Sequence, residues 1–314
     1  MAVTVGVDVG GTKIAAGVVS ETGQILDERR SETPDDAAGI ERLIADLVDE
    51  LRGSHEVEAV GIGAAGYVDA DRATVLFAPN LPWRNTRLGH AVQARLDLPV
   101  VVENDANAAA WGEFRFGAAA DVDDLLMVAV GTGVGGGVIF KSELLRGSFG
   151  LAAEIGHFRV VPQGLPCGCG QRGCWEQYAS GTALVREARR RVTAGQGGAQ
   201  PLLEAVGADP ESINGPAITS LAQQRDPFCL DLLADLGTWL GEGIASLTSI
   251  LDCAVVVIGG GVSEAGELLL EPIRQAFTRT LPVMEHRPHL ELRVATLGNE
   301  AGMIGVADLA RSAG

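Results

Sequence analysis

Hydrophobic positions along this chain fall into short runs joined by glycine-rich turns, with longer stretches of helical spacing between them. Val3–Val9 reads as a buried strand, and Gly10-Gly11-Thr12 leads at once into a second apolar run, Ile14–Val19. Gln24–Arg30 predicts a third strand after the turn at Glu21-Thr22-Gly23. Over residues 37–52, Ile40, Leu43, Ile44, Leu47, Val48 and Leu51 recur at steps that place them on one face of an amphipathic helix. Val57–Gly63 and Pro99–Val102 predict further buried strands, and Ala106–Phe116 a helix.

Near Asp121-Val122-Asp123-Asp124 the pattern restarts. Leu125–Val130 predicts a strand, Gly131-Thr132-Gly133 a turn, and Val134–Phe140 a second strand. Val9-Gly10-Gly11-Thr12 and Val130-Gly131-Thr132-Gly133 hold equivalent places, displaced by 121 residues. That period is too long for a solenoid and fits a duplicated α/β domain. Residues 181–250 are largely helical in pattern, broken from Ala194 to Pro201. Val255–Ile258 predicts a strand ending in Gly259-Gly260-Gly261, followed by a helix from about Glu264 to Thr278, a strand at Leu290–Ala295 and a helix at Ala301–Arg311. Strands alternating with helices predict an α/β class with largely parallel pairing.

At 314 residues the chain exceeds the size at which one core usually stops growing, so two lobes are expected. Its net charge of −17, with no local Lys/Arg stripe, argues against nucleic acid as a partner. No apolar run is long enough for a membrane span, and MAVTVGVDVGGTK has neither a basic start nor a cleavage pattern, which predicts a cytoplasmic chain without a membrane partner. Five cysteines, an odd number, argue against a disulfide framework. Cys229 and Cys253 lie in apolar stretches and read as small buried hydrophobes, but Cys167, Cys169 and Cys174 are crowded together.

The turn Asp8-Val-Gly-Gly-Thr-Lys13 joins two strands, so it is neither a Walker loop nor a dinucleotide fingerprint. Its glycines let backbone N–H groups approach a polyphosphate, Thr12 adds a hydroxyl, and Asp8 can hold the water shell of Mg²⁺. The alternative is a tight hairpin without a ligand. The second turn, Gly131 to Gly137, carries five glycines in seven residues, which favours close approach to a ligand. Gly259-Gly260-Gly261 suits an approaching adenosine, or is a plain strand-to-helix turn. Together the turns point to a nucleotide.

Glu103-Asn104-Asp105 ends a buried strand with polar groups, the place where ligands sit in open α/β sheets. Asp105 can take the proton of a hydroxyl attacking phosphorus, with Asn104 orienting that hydroxyl, or either residue can cap the following helix. Glu154 and His157 share one face if their stretch is helical, and Glu176 follows the cysteines. These carboxylates suit a polyol, with surface solvation as the alternative. His157 with Cys167, Cys169 and Cys174 gives H-x9-C-x-C-x4-C. One imidazole and three thiolates suit a closed, structural Zn²⁺ set, with buried free thiols or a redox pair as the alternatives.

Asp8-x-Gly-Gly-Thr-Lys13, Glu103-Asn-Asp105, Gly131-Thr-Gly-Val-Gly-Gly137, Glu154-x-Gly-His157 and Cys167-Gly-Cys-Gly-x-x-Gly-Cys174-x-Glu176 together resemble the ROK family of sugar kinases and repressors, in its actinobacterial glucokinase branch. The resemblance implies an actin-like, hexokinase-type ATPase fold of two duplicated, ribonuclease H-like lobes. The small lobe is expected over 1–116 with the helix 301–314 packed back on it, and the large lobe over 117–300 with the zinc loop. It also implies transfer of the ATP γ-phosphoryl group to the 6-hydroxyl of glucose, with another hexose or N-acetylhexosamine as the alternative. On the same resemblance Asp105 is the base, and Asn80, Asn104, Asp105, Glu154, His157 and Glu176 hold the sugar. Asp8, Gly10, Gly11, Thr12, Lys13, Gly131, Thr132, Gly133 and Gly135 serve the phosphates and Mg²⁺, while Gly259, Gly260 and Gly261 serve the adenosine. His157, Cys167, Cys169 and Cys174 match the family zinc site, and a homodimer or homotetramer is expected. Repressors of the family carry an N-terminal DNA-binding extension, for which a first strand at Val3 leaves no room. Ala65-Gly66 stands where many relatives have Pro-Gly, although Gly66 can still present its backbone.

Overall fold

The computed structural model describes residues 3–287 and 290–312. Residues 1, 2, 313 and 314 of the expected small lobe, and 288 and 289 of the large one, lie outside the described residues. In chain order the first half holds β1 (Val3–Val9), β2 (Lys13–Val19), β3 (Ile25–Glu32), α1 (Ala37–Arg52), β4 (Val57–Ala64), β5 (Tyr67–Val68), β6 (Val75–Phe77), β7 (Arg84–Thr86), α2 (Leu88–Leu96), β8 (Val100–Asn104) and α3 (Asp105–Phe116). The sheet order is β3-β2-β1-β4-β8, and β5, β6 and β7 form a small separate sheet.

The expectation of largely parallel pairing is corrected. β1, β2 and β3 pair antiparallel, because the short turns at Gly10–Thr12 and Ser20–Gln24 leave no length for a crossover. β1–β4 and β4–β8 are parallel, each connected through helical or looped crossovers. The sheet is therefore mixed.

The second repeat begins with β9 (Leu125–Val130), β10 (Val134–Phe140) and β11 (Glu143–Leu144). There follow α4 (Glu176–Ala179), α5 (Gly181–Thr193), α6 (Gln200–Ala205), α7 (Gly215–Gln223), α8 (Pro227–Leu251), β12 (Val255–Gly259), α9 (Glu267–Thr280), β13 (Glu291–Val294) and α10 (Ala301–Arg311). Its sheet order is β11-β10-β9-β12-β13, with β12 and β13 parallel. In both sheets the first strand of the repeat is central, its hairpin partner lies on one side and two later strands on the other. The duplication read from the glycine turns is thus a duplication of topology.

Two compact units divide the chain. The first takes in the chain up to Met127, Gly136–Ala153 and the segment from Ala295 onward; the second takes in Val128–Gly135 and Glu154–Val294. In the first unit, side chains alternate across β1. Val5, Val7 and Val9 join Ile40, Ile44, Val48 and Leu51 of α1 in one buried cluster. On the other face Gly6 and Gly61, paired in register between β1 and β4, form a flat bed for α10. A Cβ on Gly6 would lie 2.0 Å from the Met303 carbonyl oxygen, and one on Gly61 2.0 Å from that of Val306.

In the second unit α8 packs along α9. Trp175 is fully buried, its Nε1 donating to the Trp239 carbonyl at 2.8 Å, which fixes the start of α4 and with it Glu176. Among the described residues no helix is long and apolar enough to cross a membrane.

Candidate active site

In the first unit Asp8 sits one residue before the end of β1, and Asp105 opens α3 just beyond the end of β8. Burial pushes the Asp8 carboxyl above its ordinary range, although Lys13 pulls it back. Burial likewise raises Asp105, and the negative Asp8 adds to it, bringing its pKa to about 6; its Oδ1 accepts the Ala106 N–H at 2.9 Å. Two carboxylates held close in a desolvated place favour one proton between them at mildly acidic pH.

Of the two roles weighed for Asn104, the helix cap is observed. Its Oδ1 caps α3 by accepting from the Asn107 N–H at 3.0 Å, while Nδ2 donates to the Gly66 carbonyl at 3.1 Å. The Gly66 carbonyl is thus taken up by Asn104, with alanine preceding it. The Gly10–Thr12 turn is held from behind, with Thr33 Oγ1 donating to the Gly10 carbonyl at 2.7 Å and the Thr33 N–H to that of Thr12 at 3.1 Å. Gly11, Thr12 and Lys13 remain exposed, and Asn80 lies beside Gly11, its carbonyl 3.5 Å from where a Cβ would stand. Arg84 braces the Asn80 loop by donating to the carbonyls of Ala78, Leu81 and Trp83.

In the second unit the turn after β9 meets the start of α5. The Gly181 N–H donates to the Gly131 carbonyl at 2.8 Å, and Thr182 Oγ1 to that of Thr132 at 2.7 Å. A pocket of about 1290 Å³ opens beside this contact, lined by Gly131, Thr132, Thr182, Arg189, Ser220 and Gly261 among others. Sequence reasoning missed the α5 and α7 side of this pocket. The signal available was Ser180-Gly181-Thr182, a helix cap followed by a hydroxyl.

The glycines divide by cause. Gly131 faces open space, as a ligand-facing turn requires, whereas Gly137 is bare because a Cβ would lie 2.5 Å from Ala110 Cβ. Gly133 is bare for Glu176, whose Oε2 stands 2.7 Å from the position of its missing Cβ. Gly260 has φ +83° and its missing Cβ would lie 2.4 Å from the Val130 carbonyl oxygen, so its absence of a side chain is structural, while Gly261 is open and reaches the pocket.

His157, Cys167, Cys169 and Cys174 bring their ligand atoms within 4.8 Å of one another. His157 Nδ1 lies 3.6 Å from Cys167 Sγ, and Cys169 Sγ 3.6 Å from Cys174 Sγ. Tetrahedral Zn²⁺ with its usual bond lengths separates such donors by roughly 3.5–4 Å, so the set fits the ion. Glu176 Oε1 is 3.0 Å from Cys167 Sγ and 3.8 Å from His157 Nδ1, tying that carboxylate to the cluster. Glu154 does not share an α-helical face with His157. Only Ile155–His157 turn, as a single 3₁₀ turn, and Glu154 precedes it. Ala153 has φ +67° before it and Phe158 is extended after it, so the helical geometry stops on both sides.

The ROK family model matches residues 4–313. The chain belongs to the ROK family. The glucokinase of Streptomyces coelicolor is 50% identical over 99% of this chain and 98% of its own. A ROK glucokinase from Streptomyces griseus, solved in complex with glucose and AMPPNP, is 54% identical and superposes with a TM-score of 0.89 over 99% of both chains. The ROK hexokinase of Thermus thermophilus is 34% identical over 99% of this chain and 98% of its own, with a TM-score of 0.82. The two sheets of identical strand order are accordingly those of the ROK hexokinase-type fold.

Proposed function

We infer that this protein is a glucokinase, transferring the γ-phosphoryl group of ATP to the 6-hydroxyl of D-glucose. The observation that carries this most directly is the end-to-end match to the Streptomyces griseus enzyme, which was solved with glucose and an ATP analogue. Asp105 is assigned as general base. A carboxylate of pKa about 6 is ionised at neutral pH yet basic enough to accept the hydroxyl proton as the oxygen attacks phosphorus. Asn104, fixed by Gly66 and by its cap on α3, orients that hydroxyl. Asn80, Glu154, His157 and Glu176 are assigned to the remaining sugar hydroxyls, where carboxylates and amides accept and donate in pairs.

The Gly10–Thr12 turn, exposed at Gly11 and Thr12, with the Lys13 ammonium, and the turn Gly131–Gly135, are assigned to the phosphates. The pocket at Gly131 and Gly261 is assigned to the nucleoside. Asp8 is the group suited to the water shell of Mg²⁺, which supplies charge neutralisation on the transferring phosphoryl group when bound. His157, Cys167, Cys169 and Cys174 are assigned to one structural Zn²⁺, with no open position for chemistry. A cytoplasmic address suits five cysteines with no disulfide among them, and a homodimer or homotetramer is proposed from family resemblance.

A coupled ADP-release assay across a panel of hexoses and N-acetylhexosamines, with ATP and polyphosphate compared as donors, tests this. Release with ATP and D-glucose is expected. Release with N-acetylmannosamine in preference to glucose would reassign the substrate, and no release with any sugar would end the kinase assignment.

A further inference from the structure

A buried ion cluster under the end of β8 takes no part in the chemistry above. Glu103, the residue before Asn104, is 0% exposed. Its Oε1 accepts from the Asn104 N–H at 2.9 Å and from Asn107 Nδ2 at 3.2 Å. Asn107 is the residue whose N–H is capped by Asn104 Oδ1, so both bonds of Glu103 Oε1 converge on Asn104. Oε2 faces two guanidinium groups, Arg146 Nε at 2.8 Å and Arg72 Nε at 3.2 Å, close enough for ion pairing. Arg146 is itself well buried, and its remaining nitrogens donate to the carbonyls of Ala70 and Asp69, both at 2.8 Å. The Arg72 carbonyl accepts from the Val102 N–H at 2.9 Å, so the 69–72 turn is joined to β8 by backbone as well.

A buried carboxylate between two arginines is a poor device for stability alone, since apolar residues of similar volume commonly serve as well or better. An apolar residue, however, cannot accept two N–H bonds directed at one turn. We propose that Glu103, held by Arg146 and Arg72, is a positioning residue for phosphoryl transfer: it fixes the passage from β8 into α3 that presents Asn104 and Asp105. This role rests on Asp105 being the base, because Glu103 acts only through it. Misplacement of a reacting group by about 1 Å costs on the order of 100-fold in rate.

Glu103→Gln retains an acceptor for the Asn104 N–H but removes the charge that orders both arginines. Its kcat with glucose and ATP is expected to fall by about 10- to 100-fold, with ATP binding at equilibrium changed by less than about twofold. In an Asp105→Asn background the same change is expected to cost nothing further, because groups acting at one step are not additive. A kcat close to that of the unaltered enzyme, or the same proportional loss in both backgrounds, would overturn the positioning role. If Glu103→Gln does not fold, Arg146→Lys replaces it: the shorter reach of one ammonium is expected to give the same background-dependent fall, and undiminished turnover would overturn the role. An Asp105→Asn enzyme with full turnover would instead remove the base, and the positioning role with it.

Discussion

Asp105 carries the sharpest consequences at the scale of single residues. Because its pKa is about 6 in the folded enzyme, kcat/KM for glucose is expected to rise with pH, bend near pH 6 and level off above it. A pH–rate profile flat through that range would contradict its role as base. Asp105→Asn should lower kcat by orders of magnitude while leaving equilibrium glucose binding mostly intact. The same substitution has a predictable effect on stability. A raised carboxyl pKa means the folded state binds the proton more tightly than the unfolded chain. That contribution to stability is complete below the ordinary value of 3.8 and is lost as pH rises through about 6. Asp105→Asn should therefore be more stable than the unaltered protein at pH 8, by about 1–2 kcal/mol after allowing for partial exposure, and less so at pH 5. Urea denaturation at the two pH values checks this. A variant stabilised yet inactive separates lost chemistry from lost folding.

The gathering of His157, Cys167, Cys169 and Cys174 into one cluster was legible at this scale because the four lie close in sequence. The partners of Glu103 were not, since Arg72 and Arg146 stand 31 and 43 residues away along the chain and nothing local marks them. Elemental analysis is expected to find one zinc per chain. Cys169→Ser should lose it and weaken glucose binding, because Glu176 leans on the same cluster. Retention of both zinc and glucose affinity in that variant would remove the metal from the account.

At the scale of elements, α10 depends on the absence of side chains beneath it. Gly61→Ala would drive a methyl to 2.0 Å from the Val306 carbonyl oxygen, a backbone atom that cannot move without the helix. A destabilisation of about 3 kcal/mol, read as a shift in the denaturant midpoint, is expected. An unchanged midpoint would mean that α10 shifts freely on the sheet. Elements with one uninterrupted pattern were legible to the residue, as in Ala37–Arg52, Leu125–Val130, Val134–Phe140 and Ala301–Arg311. The strands Tyr67–Val68, Val75–Phe77 and Arg84–Thr86 were not. Segments so short show no period, and only pairing with one another makes them strands. Sheet direction was misread for a related reason: alternation with helices predicts parallel strands, but each repeat opens with a glycine hairpin.

At the scale of the whole molecule, an acidic protein of net charge −17 must bind an anionic donor. In the function proposed, oriented backbone N–H groups, Lys13 and a divalent ion would supply the local positive field that the chain as a whole lacks. EDTA in brief exposure is expected to abolish turnover, and Mg²⁺ alone to restore it, with the zinc content unchanged. Glucose and a non-hydrolysable ATP analogue should each raise the melting temperature, and go on raising it with the logarithm of concentration above Kd, as ligands selective for the folded state do.

Phosphorus NMR of the reaction product, with ATP and D-glucose as the only substrates, tests the central claim most directly. A new phosphomonoester identified as glucose 6-phosphate, absent with Asp105→Asn, is the predicted result. Free inorganic phosphate with no sugar ester, or an ester at another carbon, would contradict it.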